Sequence, residues 1–152
     1  MNKYDIIKNT IVKSNLLSEN GFVFLNEKLE KEKYSPLRNY YTIKFFNATI
    51  QLFFYLSFFE FHGIKEINSI YISIEKINYK GIGYNIIRIG DFCTKNNLEN
   101  KWNSVNNFKG ISFEEKLNNL ILDFEQFVRS TDLIKVFRGE VWYDQYWINP
   151  RD

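Results

Sequence analysis

A single histidine and a single cysteine limit the chemistry that this chain can perform. His62 has no serine or cysteine beside it and stands directly before Gly63, at the end of an apolar run. That position is typical of a turn, and although catalytic triads assemble in space, nothing local indicates a general base. Cys93 follows the apolar Ile89 and Phe92, and a buried cysteine behaves as a small hydrophobe more often than as a nucleophile. We therefore expect no nucleophilic site, and any role of His62 or Cys93 stays open.

Motifs for metals and phosphates are equally weak. With one His and one Cys, a metal site would have to be built from carboxylates, and the sequence has no Asp-rich calcium loop. Gly81-x-Gly83 lacks the third glycine of a dinucleotide fingerprint and predicts a turn instead. Glu114-Glu115-Lys116 has the Glu-x-Lys spacing of some nucleases, but it opens an amphipathic helix, where acidic residues favour the positive end of the dipole. The sequence therefore predicts no cofactor, no metal and no enzymatic activity.

Aromatic side chains in two polar segments are the candidates for binding. Residues 94–110 form an Asn-rich stretch around Trp102, and residues 140–147 mix aromatic with acidic side chains. Interface energy concentrates in a few aromatic anchors surrounded by polar groups, so we predict that at least one segment contacts a partner. The second segment could instead close the core. The candidate binding residues are Trp102, Glu140, Tyr143, Asp144, Tyr146 and Trp147.

Residues 40–61, YYTIKFFNATIQLFFYLSFFEF, form the predicted centre of the fold. Apolar and polar side chains alternate on either side of Asn47, which predicts two strands. The second strand is apolar on both faces near its end, which favours cover on both faces. Its continuous apolar part is far shorter than the roughly 20 residues of a membrane-spanning helix.

The remaining elements follow from periodicity and from helix-ending signals. We predict a helix that ends at Asn20-Gly21, a strand at 22–26, a solvated connection at 28–36, strands at 70–74 and 84–89, and a loop at 94–110. The glycines of the turn at 80–83 are expected to supply positive φ. A capping box at Ser112 and Glu115 begins a long amphipathic helix, and a short helix at 132–138 ends at Gly139. Together these elements predict an α+β fold, with a mostly antiparallel sheet of about five strands packed against an N-terminal helix and a C-terminal amphipathic helix.

Composition supports a single domain over residues 1–152. Hydrophobic residues make up 45% of the chain and aromatic residues 18%, which is enough for a full core. Positive and negative residues interleave and the net charge is only +2, so we expect no membrane partner and no direct contact with nucleic acid. One cysteine fits a reducing compartment, and the first residues lack a signal-peptide apolar run. These features predict a cytoplasmic protein.

The order of elements resembles that of small immunity proteins from bacterial polymorphic and contact-dependent growth inhibition toxin systems. The resemblance is carried by the 40–61 segment, SIYISIEKI at 69–77, SFEEKLNNLILDFEQFVRS at 112–130 and DLIKVFRGEVW at 132–142. It covers most of the chain, contains no diagnostic motif and transfers no residue roles. It implies a cytoplasmic protein that binds and neutralises a cognate toxin domain. The alternatives are a nucleic-acid-processing or metabolic enzyme whose site is assembled only in the fold, and a subunit of a homo-oligomer such as a homodimer.

Overall fold

A five-stranded antiparallel sheet organises the computed structural model, which describes residues 3–31, 38–61 and 64–143. Its strands lie in the order of the chain: β1 (Val23–Lys31), β2 (Arg38–Phe46), β3 (Ile50–Phe61), β4 (Ile64–Lys76) and β5 (Ile86–Arg88). The helices are α1 (Lys3–Val12), α2 (Asn15–Glu19), α3 (Ile89–Lys95), α4 (Phe113–Ser130) and α5 (Leu133–Phe137). Short 3-10 turns occupy Lys101–Asn103 and Val105–Asn107. The predicted α+β class, with its N-terminal and C-terminal helices, is confirmed.

Asn47 makes the turn between the two central strands. Its side-chain oxygen accepts hydrogen bonds from the backbone N–H groups of Thr49 and Ile50, each at 3.0 Å. Its side-chain amide donates to the carbonyl oxygens of Asn20 and Phe137, at 3.0 and 3.2 Å. One polar side chain therefore ends β2 and also ties the turn to the ends of α2 and α5.

The core lies on one face of the sheet, which we call the inner face. Alternate side chains of the central strands are buried there: Tyr41, Ile43, Phe45, Ile50, Leu52, Phe54, Leu56, Phe58, Ile70, Ile72 and Ile74. The apolar stripe of α4 packs on this face, with the rings of Phe54 and Phe124 6.4 Å apart. Each large apolar side chain buried in this way contributes about 1.5 to 3 kcal/mol before entropy is counted. Among the described residues, no helix is both long enough and apolar enough to cross a bilayer.

The start of α4 confirms the predicted cap at Ser112, with one difference. The Ser112 hydroxyl accepts a hydrogen bond from the N–H of Glu115 at 3.2 Å. The Glu115 carboxylate reaches back to the N–H of Ile111, at 2.9 Å, instead of to that of Ser112. Both interactions satisfy donors near the first turn, which is the purpose of a capping box.

The predicted first helix is two helices. The chain breaks at Ser14, which is extended, and α2 begins immediately after it. The buried carboxylate of Glu125 on α4 accepts a hydrogen bond from the N–H of Leu16 in the first turn of α2, at 2.9 Å. A partner 109 residues away therefore fixes this start, and local sequence could not show it. The predicted left-handed stop is confirmed at Gly21, whose φ is +73°.

The solvated connection predicted at 28–36 is wrong for residues 28–31, which belong to β1. Lys28 pairs with Thr42, and Lys31 pairs with Asn39. All nine residues of β1 are exposed. The prediction failed because a charged strand at the edge of a sheet can have the same polar composition as a loop. Residues 32–36 of that prediction lie outside the described residues.

The predictions for the turn, the strand and the loop between β4 and α4 are also corrected by the structure. Positive φ in the turn falls on Asn78, at +55°, and not on Gly81 or Gly83. A Cβ at Gly81 would clash with the ring of Tyr79 in its present position. The hydroxyl of that ring accepts a hydrogen bond from the N–H of Gly83 at 2.8 Å, so Gly81 lets the ring approach the backbone. The strand predicted at 84–89 is shorter because α3 begins at its last residue, and α3 and the 3-10 turns occupy part of the predicted loop.

Candidate binding surface

Trp102 lies in the core, between the sheet and α4. Its side chain is only 4% exposed, and its ring centroid lies 4.1 Å from that of Phe127 and 6.0 Å from that of Phe124. Its indole N–H donates to a carboxylate oxygen of Asp123 at 3.1 Å. These contacts stabilise the fold, so Trp102 does not project from the surface as the composition of its segment suggested.

The second predicted segment is only partly described. Glu140 is exposed and Tyr143 is half-buried, while Asp144, Tyr146 and Trp147 lie outside the described residues, as does His62. Burial, and then the nearby Asp132 carboxylate, raise the pKa of the Tyr143 hydroxyl. Trp102 contacts α4, whereas Tyr143 lies towards the start of α5, so the two predicted segments have different neighbours.

Three tyrosines line up across the outer face of the sheet, opposite the helices. Tyr40 on β2 stacks on Tyr55 of β3 with ring centroids 5.5 Å apart, and Tyr55 lies 6.3 Å from Tyr71 of β4. Tyr55 is 36% exposed and Tyr71 is 61% exposed. We call Tyr40, Tyr55 and Tyr71 the tyrosine row. Aromatic side chains with few rotatable bonds, held across three hydrogen-bonded strands, form a rigid surface for contact.

Charges of both signs surround the tyrosine row. The ammonium of Lys44 lies 5.3 Å from the ring centroid of Phe53 on the same face. Lys28 and Glu30 form an ion pair at 3.2 Å, and the guanidinium of Arg88 lies 3.8 Å from the carboxylate of Asp91. The outer face is therefore aromatic at its centre and mixed in charge at its margins.

A cleft of about 480 Å³ continues this face at the edge of β4. Its lining includes Tyr55, Tyr71, Arg88, Asp91, Asn100 and Trp102. The only sequence-predicted residue among these is Trp102, which forms part of the wall. The cleft combines aromatic surface with a few polar groups, which is the usual composition of a binding site.

The tyrosine row was not predicted from the sequence, although the alternation of side chains in β3 indicates which face Tyr55 lies on. The alternation of β3 puts Phe53 and Tyr55 on the face away from Leu52. Neighbours across strands depend on register, and the structure aligns Tyr55 with Tyr71 and with Thr42. Sequence alone does not give that register.

Within the described part of the chain, the chemically reactive side chains do not assemble into a metal or thiolate site. Across residues 3–31, 38–61 and 64–143, no group of three or more His, Cys, Asp or Glu side chains could hold a metal ion. Burial raises the pKa of the Cys93 thiol to about 11, so it stays protonated at neutral pH and is a poor nucleophile. A scan against protein-family models, a search of curated proteins and a search of solved structures each found no match.

Proposed function

We propose that this chain is an immunity protein that binds a cognate bacterial toxin domain in the cytoplasm and neutralises it by protein–protein contact. The observation that carries the proposal is the tyrosine row on the outer face of the sheet. Tyrosine is enriched in protein interfaces because its ring provides apolar area while its hydroxyl remains hydrogen-bonded. An aromatic centre with a polar margin also has the arrangement of an interface hot spot.

The mixed charges favour a protein partner over single-stranded nucleic acid. Bases also stack on aromatic rings, but such sites follow the backbone with a positively charged groove. Here Lys28 is paired with Glu30, and Arg88 lies near Asp91. Two of the three cations described on this face, Lys28 and Arg88 but not Lys44, therefore lie beside a carboxylate.

An enzyme with a site assembled in the fold is the alternative from another class, and its best candidate is on the inner side of β1. The hydroxyl of Tyr41 donates a hydrogen bond to the carboxylate of Glu27, which also pairs with Lys8 at 3.2 Å. These three groups satisfy one another and connect α1, β1 and β2. Their contacts favour a structural role over catalysis.

The segment 140–147 remains a second predicted contact with the toxin.

The proposal predicts a toxin domain encoded beside this gene, and co-expression with that domain tests it. The double variant Tyr55→Ala/Tyr71→Ala should weaken the complex by about 30-fold or more, the effect of losing at least one hot-spot side chain. Calorimetry of the purified pair measures the change, and survival of cells that express the toxin measures neutralisation. The matched control is Leu122→Ala, which removes an exposed apolar side chain from α4 and should leave affinity unchanged.

Three results would contradict the proposal. Equal affinity in the double variant and the wild type would remove the tyrosine row from the interface. If the protein bound a single-stranded oligonucleotide and formed no complex with the toxin, nucleic-acid binding would be favoured. A stable dimer that ignores the toxin would favour the homo-oligomer.

A further inference from the structure

Strand β5 covers only a small part of β4. It pairs Arg88, Ile87 and Ile86 with Ser73, Ile74 and Glu75 of β4, which is 13 residues long. The pairing stops there because Ile89 begins α3. On this side of β4, no strand of the described chain pairs with the residues that precede Ser73. We call residues 69–72 on this side the β4 edge.

Hydrogen bonds further along β4 show which backbone groups point to this edge. The N–H of Lys76 donates to the carbonyl of Asn85 on the β5 side, at 2.8 Å, and the N–H of Ile77 donates towards β3, to Thr49, at 3.0 Å. Successive N–H groups of a strand point to opposite sides. The N–H of Ile72, and both backbone polar groups of Ile70, therefore point towards the β4 edge.

The cleft lies against the same residues. Its lining includes residues 70–73 in sequence, which form one wall, and Gly90 and Asn100. A Cβ at Gly90 would lie 3.3 Å from the amide nitrogen of Asn100, so α3 and Asn100 are packed closely together. Ile89 and Trp102 add apolar surface. The cleft is thus a recess with backbone donors and an acceptor along one side.

From this geometry we propose that the cleft receives an extended segment of the partner protein, which joins the sheet as an added strand at the β4 edge. The proposal rests on the proposed function, because it states how the toxin domain is held. In strand addition, backbone hydrogen bonds give affinity and alternate side chains give specificity. Side chains opposite Ile70 and Ile72 would face Trp102 and should be apolar, whereas the side chain opposite Tyr71 would lie beside the tyrosine row.

The recess favours a single inserted segment over a second copy of this chain. Two copies related by a two-fold axis would meet through the same edge on each. Each β4 would then bring its own α3 and Asn100 to the contact, next to the same groups of the other copy. A single extended segment carries no such elements and needs only the width of one strand.

Hydrogen exchange of the free protein gives the first test. The amides of Tyr71 and Ser73 point towards β3 and should exchange slowly, while those of Ile70 and Ile72 should exchange fast. NMR of ¹⁵N-labelled protein at low concentration resolves this alternation. Slow exchange at Ile70 and Ile72 in the free protein would mean that the edge is already covered, and would overturn the proposal.

The second test adds a probe, a capped peptide of alternating valine and threonine at millimolar concentration. It should slow exchange at both Ile70 and Ile72 by at least about tenfold. The control peptide, with proline in place of each valine, lacks the backbone donors that would lie opposite Ile70 and Ile72 in antiparallel pairing and should not. The absence of protection with the first peptide overturns strand addition. Protection that instead rises with the protein's own concentration overturns it in favour of a second copy.

The complex with the toxin separates this inference from the proposed function. Protection of Ile70 and Ile72 in that complex supports both. A complex in which these amides exchange as in the free protein overturns strand addition and leaves the proposed function intact. A protein that accepts the valine–threonine peptide but forms no complex with the toxin domain rejects the proposed function and keeps the strand-accepting edge.

Discussion

The sheet has two edges, and they differ in charge. Strand β1 is exposed along all nine residues, carries four charged side chains of both signs and contains a bulge between Phe24 and Asn26. The β4 edge carries no charged residue from 69 to 74, and Ile70 and Ile72 are buried beside it. Charges and bulges are the devices by which natural sheets prevent pairing at an edge. Strand β1 has both devices and the β4 edge has neither between residues 69 and 74, in agreement with the proposal that the β4 edge accepts a strand. We call β1 the protected edge and the β4 edge the open edge.

Each edge is also held to the body by a different kind of contact. At β1, the carboxylate of Glu27 accepts from the hydroxyl of Tyr41 and pairs with Lys8 of α1. Beside the β4 edge, Trp102 packs on Phe127 and donates to Asp123. A polar network holds the protected edge, and a buried aromatic side chain supports the open one. Three changes should separate these roles, and we order them by the size of the expected effect.

The largest effect is expected at Trp102, because it supports the open edge from within the core. Trp102→Ala should lower the free energy of unfolding by about 3 to 5 kcal/mol, the usual cost of removing a large buried aromatic side chain. The change is measured by urea denaturation followed by circular dichroism.

Trp102→Phe is the matched control for that variant. It keeps a ring against Phe127 but loses the hydrogen bond to Asp123, so it should cost about 1 kcal/mol from that bond. A loss below about 1 kcal/mol in Trp102→Ala, together with a marked loss of toxin binding, would contradict the core role. That outcome would support the surface anchor that the sequence predicted.

Patterns confined to neighbouring residues predicted most of the fold. The α4 stripe, the Ser112 cap and the alternation of the central strands each depend on spacings of two to four residues. Features that depend on distant partners were missed, such as the break before α2, which Glu125 fixes from 109 residues away. Trp102 shows the same limit, because its polar neighbours in sequence are typical of a loop while its neighbours in space are Phe124 and Phe127.

The candidate binding surface was less predictable from the sequence than the fold. The row of Tyr40, Tyr55 and Tyr71 comes from three strands, and only their register places the rings together. The β4 edge depends on where β5 stops, and β5 stops because Ile89 enters a helix. Such a competition between strand and helix is decided by packing and not by the propensity of a few residues.

A smaller change, in association and not in folding, should follow from removing the charges of β1. Lys28→Val/Glu30→Val replaces an exposed ion pair and keeps the net charge at +2. Stability should change by no more than about 1 kcal/mol, but β1 would lose two of its four charges, and self-association should increase with concentration. Sedimentation velocity over a range of concentrations measures this.

The matched control removes an ion pair of the same signs from a helix. Asp132→Val/Lys135→Val changes a pair that is 3.9 Å apart at the start of α5 and exposes no strand edge. Its sedimentation should match that of the wild type. Equal association in the two double variants would show that apolar substitution alone, and not the exposed edge, causes it.

The smallest effect is expected from the pH dependence of the β1 contact. The hydrogen bond from Tyr41 is the main reason that the pKa of the Glu27 carboxyl lies below its usual value of 4.5. Burial opposes this shift, and the hydrogen bond and charge of Lys8 lower the pKa by smaller amounts. A carboxyl whose pKa is lower in the folded state contributes stability that is present above 4.5 and is lost as the pH falls through the folded-state value. Because the Glu27 side chain is exposed, we expect this contribution to be less than about 1 kcal/mol. Glu27→Gln should therefore lose less stability than the wild type on acidification below 4.5, as measured by urea unfolding at successive pH values. Tyr41→Phe, which keeps the ring and removes the donor, should flatten the same part of the curve. If the free energy of unfolding varied with pH in the same way in the wild type and both variants, the Glu27 carboxylate would not hold β1 to the body. The charges of β1 would then act only against association.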